Sequence, residues 1–424
     1  MLARTKQQRN PRPTAAGTGA GRFPTFHALR HRDFRLLWAG SAISAVGTWM
    51  QIVAQSLLVL DLTHGSAAAL GTVSLAQASS FLLFSTAGGG FADRFNKRRL
   101  LLLTQSVLMG LAVLLGVLTA AGRIRFWMIP LVAFGSGVTL SFDQPARNAL
   151  ITSLVPKENL MNAVALQSAV FNGASILGPA LAGLAVGRMG YSANFFLNAA
   201  SYLAVLAALL LVHTPAAQGK LRPGGNLWDS VREAVRYVRQ DGVLPPVVLA
   251  YGALLFFGPS ATLMLPLFAR QVLRAGSVQL GMMFSAVGAG TVLGALLVAS
   301  LGDMRFKGRL VFGSILLWMA ALAAFGLSGS LRVAVPALFI LGAALNTAAA
   351  TTTTLLQTRV PAEMRGRTMS LNTLLVMGVR PLGDFPAGAV IGGLGLRPTV
   401  LLSVGIVGAA WLTLFAGRPA VRSA

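Results

Sequence analysis

Residues Gly89-Gly90-Phe91-Ala92-Asp93-Arg94-Phe95-Asn96-Lys97-Arg98-Arg99 form a tight basic turn between two long apolar runs. The flanking stretches 67–93 and 100–122 carry no Lys or Arg, so the cations are confined to the connection. Two membrane helices joined by a short loop, with its cations held on the cytoplasmic side, read in this way. A looser copy follows at Leu301-Gly302-Asp303-Met304-Arg305-Phe306-Lys307-Gly308-Arg309. Two copies of one helix–loop–helix device, far apart in the chain, point to a duplicated membrane bundle.

Composition agrees. Apolar residues make up 55% of the 424 residues and charged residues only 11%. A soluble chain of this length would expose far more charge. Apolar stretches of about 20 residues cross the hydrocarbon core of a bilayer. Twelve are visible, near 34–61, 67–91, 99–121, 126–143, 161–187, 191–213, 245–269, 276–301, 309–328, 333–355, 368–394 and 397–417. Backbone polar groups must be paired in lipid, which leaves helices or a closed barrel. Unbroken runs of this length exclude the barrel, whose strands are short and alternate. The expected fold is therefore all-α: twelve transmembrane helices in two pseudo-symmetric six-helix bundles.

The net charge of +24 invites a nucleic-acid reading, but no segment is large enough for a basic soluble domain. With the N-terminus inside, 27 of the 35 Lys and Arg fall on the cytoplasmic side, 7 outside, and Arg380 within a span. Twelve spans with both termini in the cytoplasm of a bacterial inner membrane fit that bias. The same cations attract anionic lipid headgroups. Cysteine is absent, which excludes disulfides and thiolate metal sites. His27, His31, His64 and His213 fall at span ends or in tails, so no histidine proton relay is visible. No phosphate-binding loop, catalytic triad or metal cluster is present, so neither an enzyme nor a cofactor or metal is expected.

Residues 1–25 read as a disordered basic tail, 26–213 as the first bundle, 244–418 as the second and 419–424 as a short tail. The connection 214–243 opens with Pro215, Gly219, Pro223, Gly224 and Gly225. It closes with Trp228, Val231, Val235 and Val238 at helical spacing, read as a surface helix on the cytoplasmic leaflet, or else an exposed linker helix. A faint repeat relates the bundles at an offset of 205 residues: Val155-Pro156 with Val360-Pro361, Gly178 with Gly383, Gly183 with Gly388. Duplicated halves of this kind are a transporter architecture.

Gly89, Asp93, Arg94, Arg98 and Arg99 match the loop signature of the major facilitator superfamily, which the chain resembles. Asn96 replaces the usual second glycine there and is expected to tolerate a left-handed turn. Phe34-Arg35, Gly47-Thr48-Trp49-Met50-Gln51, Phe142-Asp143, Pro145-Ala146-Arg147 and Gly178-Pro179 narrow the resemblance. They are similar to the branch holding macrolide efflux proteins and the enterobactin exporter. The resemblance implies that Asp93 faces the eleventh helix's N-terminus as part of a cytoplasmic gate. Gly178-Pro179 would mark a bend typical of antiporters, or ordinary helix packing. It also implies that spans one, four, seven and ten line a central cavity. There Trp49, Gln51, Gln55, Ser136, Tyr251, Phe256, Phe257, Asn346 and Thr351 to Thr354 would suit a bulky, partly apolar molecule.

Charges within spans are sites to weigh. Arg380 and Asp384, flanked by Pro381 and Pro386, lie deep in the eleventh span. Either Asp384 carries a proton or Arg380 holds an anionic group; alternatively the two neutralise each other. Asp143 and Arg147, near the cytoplasmic end of the fourth, read better as a structural or gating pair. Asp61, at an outer end, is expected to be solvated. The combined expectation is a monomeric secondary exporter of a hydrophobic or amphiphilic small molecule, coupled to protons by family expectation. A metabolite importer, a lipid-moving transporter and a non-transporting receptor remain as alternatives.

Overall fold

The structure, a computed structural model, describes residues 24–213, 227–302 and 306–416, and for 86–94 the helical backbone alone. The N-terminal tail to residue 23, the stretch 214–226, the second basic loop at 303–305 and the chain beyond 416 lie outside those residues. Every described element is helical. In the first half α1 spans Arg32–Leu62, α2 Ala67–Arg94, α3 Lys97–Ala120, α4 Met128–Leu154 and α5 Leu160–Leu211. After α6 (Leu227–Val238), the second half holds α7 (Leu244–Phe257), α8 (Ala261–Gln271), α9 (Ser277–Leu301), α10 (Lys307–Leu327) and α11 (Leu331–Thr358). It ends with α12 (Ala362–Leu374), α13 (Arg380–Leu394) and α14 (Leu396–Ala416).

Ten helical stretches are long and apolar enough to cross a bilayer. The number reaches the expected twelve when α4, which carries Asp143 and Arg147, is added and α5 is divided at its kink. Leu103, Leu210 and Leu412 are more than 60% exposed, an arrangement that water penalises and lipid does not.

Three spans depart from plain helices. The fifth and sixth are joined with no loop: α5 reverses at Gly190, whose φ of 79° costs little only without a Cβ. Both legs then lie beside α1, since Trp38 Nε1 donates to Leu166 O at 3.0 Å while Gly40 lies against Ala204. The seventh span is cut by Gly258 and Pro259 into α7 and α8. The eleventh passes through a π-helical turn, Leu375–Val379, just before Pro381. A proline clashes with the carbonyl four residues back, and a wider turn relieves it.

The 205-residue repeat has a structural meaning. A Cβ on Gly178 of α5 would strike Val46 O of α1 at 2.8 Å, and one on Gly383 of α13 would strike Phe256 C of α7, also at 2.8 Å. A Cβ on Gly183 would come within 3.0 Å of Val278 in α9, and one on Gly388 within 3.2 Å of Ala68 in α2. Gly178 and Gly383 thus each pack inside their own half, and Gly183 and Gly388 each pack across to the other half. Small residues allow such close approach where lipid supplies no hydrophobic drive.

The surface-helix reading of the linker is corrected. Val231, Ala234 and Val238 of α6 are buried in the core of the second half. Arg367 pairs with Glu233 at 2.6 Å and Arg359 with Asp241 at 3.6 Å. The apolar stripe faces protein because α12 and the end of α11 offer it both apolar contact and countercharge. Asp241 Oδ1 also accepts from Val243 N at 2.7 Å and Leu244 N at 2.8 Å, satisfying orphan donors at the start of α7.

Candidate functional site

The α2–α3 turn is built differently from the expectation. Asn96 has φ −61° and is not left-handed; its side chain caps α3, accepting from Arg98 N at 3.0 Å and Arg99 N at 3.2 Å. Arg98 Nη2 donates to Leu210 O at 2.7 Å, which places a cation on the last carbonyls of α5. Arg99 is exposed. Arg98 therefore ties this turn to its own half. The side chains of Gly89, Asp93 and Arg94 lie outside the described residues.

Asp143 and Arg147 form a closed network inside the first half. Asp143 Oδ1 accepts from Thr104 Oγ1 at 2.8 Å and Gln105 Nε2 at 2.6 Å. Its Oδ2 accepts from Arg147 Nη2 at 3.1 Å and Nε at 3.2 Å, and Arg147 Nη1 donates to Ser41 Oγ at 2.9 Å. Helices α1, α3 and α4 are pinned by one buried ion pair whose hydrogen bonds satisfy both partners. Every one of these contacts lies within the first half.

Arg380 and Asp384 do not neutralise each other in this way. Asp384, 3% exposed, accepts from Ser260 N at 3.0 Å and from Ser260 Oγ at 2.8 Å. Ser260 is the residue that caps α8, its Oγ accepting from Leu263 N at 3.2 Å. The carboxylate therefore fastens the eleventh span to the break in the seventh through neutral donors. Arg380 makes no ion pair or hydrogen bond with a described residue. It borders a cavity at that break, together with Gly258, Pro259, Trp318 and Leu345.

The expected cavity residues divide. Gln51 accepts from Asn198 Nδ2 at 2.6 Å, and Asn346 Nδ2 donates to Thr291 O at 2.9 Å, so both amides pin helices. Ser136, Thr353 and Thr354 donate to carbonyls of their own helices. Thr351 and Thr352 are buried with unpaired hydroxyls. Tyr251 is buried in the second half. Trp49 packs on Phe171 with ring centroids 5.8 Å apart. Phe257, 39% exposed, meets Phe256 edge-on at 5.0 Å. Gln55 is half-buried on α1. Pro179, beside Gly178, lies where Gly281 of α9 approaches: a Cβ on Gly281 would come within 3.2 Å of Pro179 C.

Sequence reasoning missed a cluster between the halves. Asp61, at the end of α1, pairs with Arg270 at the end of α8 and also accepts from the Tyr191 hydroxyl. Gln271 Nε2 reaches Gly65 O at 3.4 Å, and Ser277 Oγ donates to Gly183 O at 2.8 Å. Further in, Ser285 Oγ donates to Ile176 O at 2.6 Å. These contacts join the halves from the Asp61 end toward the middle. A signal existed: Asp61 and Arg270 end the first and seventh spans, which occupy equivalent places in the two bundles.

The sequence pattern of the family described as transmembrane secretion effector matches residues 23–422. Macrolide efflux protein A of Streptococcus pyogenes is 22% identical over 375 residues, 87% of this chain and 92% of that protein. The enterobactin exporter of Citrobacter koseri is 26% identical over 382 residues, 89% of each. Among solved structures, a bacterial homologue of the lysosomal transporter Spinster, inward-facing and occupied, superposes with a TM-score of 0.73 at 16% identity. That likeness covers 92% of this chain and 96% of the other.

Proposed function

Because the chain belongs to the transmembrane secretion effectors of the major facilitator superfamily, we propose that it exports an amphiphilic small molecule from a bacterial cytoplasm by proton antiport. Members of this family are transporters and not enzymes. The efflux named for both relatives supports the outward direction, and the cation bias of the loops supports cytoplasmic termini in an inner membrane. Rocking of one half against the other around the Gly183 and Gly388 contacts would expose the centre to each side in turn.

The observation that carries the reading is the junction of Asp384 with Ser260. A carboxylate deep in a span is costly unless it does something. Here neutral donors hold it at contact distance while Arg380 acts on it only through space, so a proton arriving on Asp384 would loosen the joint between the seventh and eleventh spans. Such a joint links proton uptake to movement of a broken helix. Gly89, Asp93 and Arg94 at the end of α2, with Arg98 and Arg99 at the start of α3, would close the cytoplasmic side in the same cycle.

Inside-out vesicles with an acid interior test this with a panel of macrolides and siderophores. An exporter accumulates at least one of them, and collapse of the gradient stops it. Asp384→Asn should transport at a rate that no longer varies with pH, and Ser260→Ala should weaken that dependence. Solute lost from the vesicles under the same gradient would mean an importer, and unchanged pH dependence in Asp384→Asn would remove Asp384 as the proton carrier.

A further inference from the structure

The charges embedded in the spans are not equally served. Asp143 and Arg147 satisfy each other, and both oxygens of Asp384 accept from Ser260. Arg380 is the exception, with no hydrogen bond or ion pair to a described residue. A guanidinium offers five donors and is not discharged in proteins. At membrane depth it costs several kcal/mol until a countercharge or water arrives.

Among the described residues of the second half, no carboxylate is in direct contact with Arg380. From residue 244 onward the only acidic residues are Asp303, Glu363 and Asp384. Asp303 lies outside the described residues, Glu363 opens α12, and Asp384, which meets Arg380 only through space, is hydrogen-bonded at the neighbouring junction. The cavity beside Arg380 is otherwise apolar, bounded by Leu254, Trp318, Leu341 and Leu345 across the break of the seventh span. Gly258 keeps the indole in place there, because a Cβ would come within 2.6 Å of Trp318. The cavity holds about 20 Å³, room for one or two water-sized atoms such as the oxygens of an anionic head and not for a whole amphiphile.

We propose that this cavity docks the anionic oxygen group of an amphiphilic carboxylate or similar oxyanion, with Arg380 as its anchor. The planar fork of the guanidinium matches such a group with two parallel hydrogen bonds. Trp318 and Leu345 exclude water around the pair, which strengthens the attraction. The apolar tail stays outside the cavity. The inference rests on the transporter reading, and it narrows the solute to an anion.

Iodide and caesium ions quench tryptophan fluorescence and carry opposite charge, so they probe the cavity without any transport. The full chain is compared with Trp318→Phe, whose difference isolates the Trp318 signal. Iodide should quench that signal and caesium should not. In Arg380→Gln the iodide quenching constant should fall about tenfold, while Arg380→Lys keeps the preference for the anion. Octanoate should relieve the quenching, and octyltrimethylammonium at equal concentration should not. Absence of iodide quenching at Trp318, equal quenching by caesium, or unchanged quenching in Arg380→Gln overturns the site. If Arg380→Gln does not fold, loss of anion preference in Arg380→Lys does so. Relief by chloride alone would mean a simple inorganic anion site, which overturns the amphiphile. Export without this signal removes only the anion site; the signal without export removes only the transporter reading.

Discussion

Two pairs of opposite charge sit four residues apart in this chain, each with a proline beside or between them, and only one is an ion pair. The difference lies in their order. Helical side chains lean toward the N-terminus of their helix, so Arg147 reaches back onto Asp143. In the other pair the arginine comes first, the less favourable order, and Arg380 acts on Asp384 through space without a direct contact. Spacing was legible in the sequence, and the order that decides contact was legible too; Ser260, 124 residues from Asp384, was not. The buried pair should be structural. Asp143→Asn leaves Arg147 charged and half-served, at a cost of about 3–5 kcal/mol. Thermal unfolding of the purified protein in detergent should show a clearly lower midpoint. A joint replacement, Asp143→Leu with Arg147→Met, should recover most of it, because apolar packing substitutes well for a buried ion pair. An unchanged midpoint in Asp143→Asn would return the pair to the list of functional charges.

Elements were the most readable level, since long apolar runs leave a chain in lipid no choice but helix. What sequence patterning does not report is how spans are joined and broken. The spans read at 161–187 and 191–213 bracket Gly190, but they do not tell that the reversal there is made by one residue with no loop. Gly110, in α3, provides the contrast: a Cβ there meets nothing within 4 Å. Gly190→Ala should destabilise the protein by about 1–2 kcal/mol, because its φ is left-handed. Gly110→Ala should stabilise it by about 0.5–1 kcal/mol through backbone entropy. Opposite shifts in unfolding midpoint would establish that the first glycine makes a turn and the second is incidental. The α6 stripe was likewise visible as a stripe, but its partner was not. Its Val231, Ala234 and Val238 meet the second half because Arg359 and Arg367 come forward to pair with Asp241 and Glu233.

At the scale of the whole molecule, two halves must meet firmly enough to seal one side yet part in every cycle. The Asp61–Arg270 pair suits that demand because both side chains are nearly half exposed, 43% and 45%. Ion pairs in such settings contribute about 0.2–1 kcal/mol, so this one orients the closure without trapping it. Tyr191 adds a donor from the α5 reversal, bringing three spans to one point. Backbone contacts at Gly183 and Gly388 lie just inside and would serve as the pivot of the proposed rocking. The chain contains no cysteine, so Asp61→Cys with Arg270→Cys places the only two thiols at this seam. Joining them with a bifunctional methanethiosulfonate should arrest transport completely, and dithiothreitol should restore it. Each single cysteine variant should still transport, because neither alone can be bridged. Raising the salt concentration should loosen the natural pair and leave the bridged protein arrested, since screening acts on the charges and not on a covalent link. Transport that continues through the bridged protein would mean that these ends never separate, and that the halves move about some other seam.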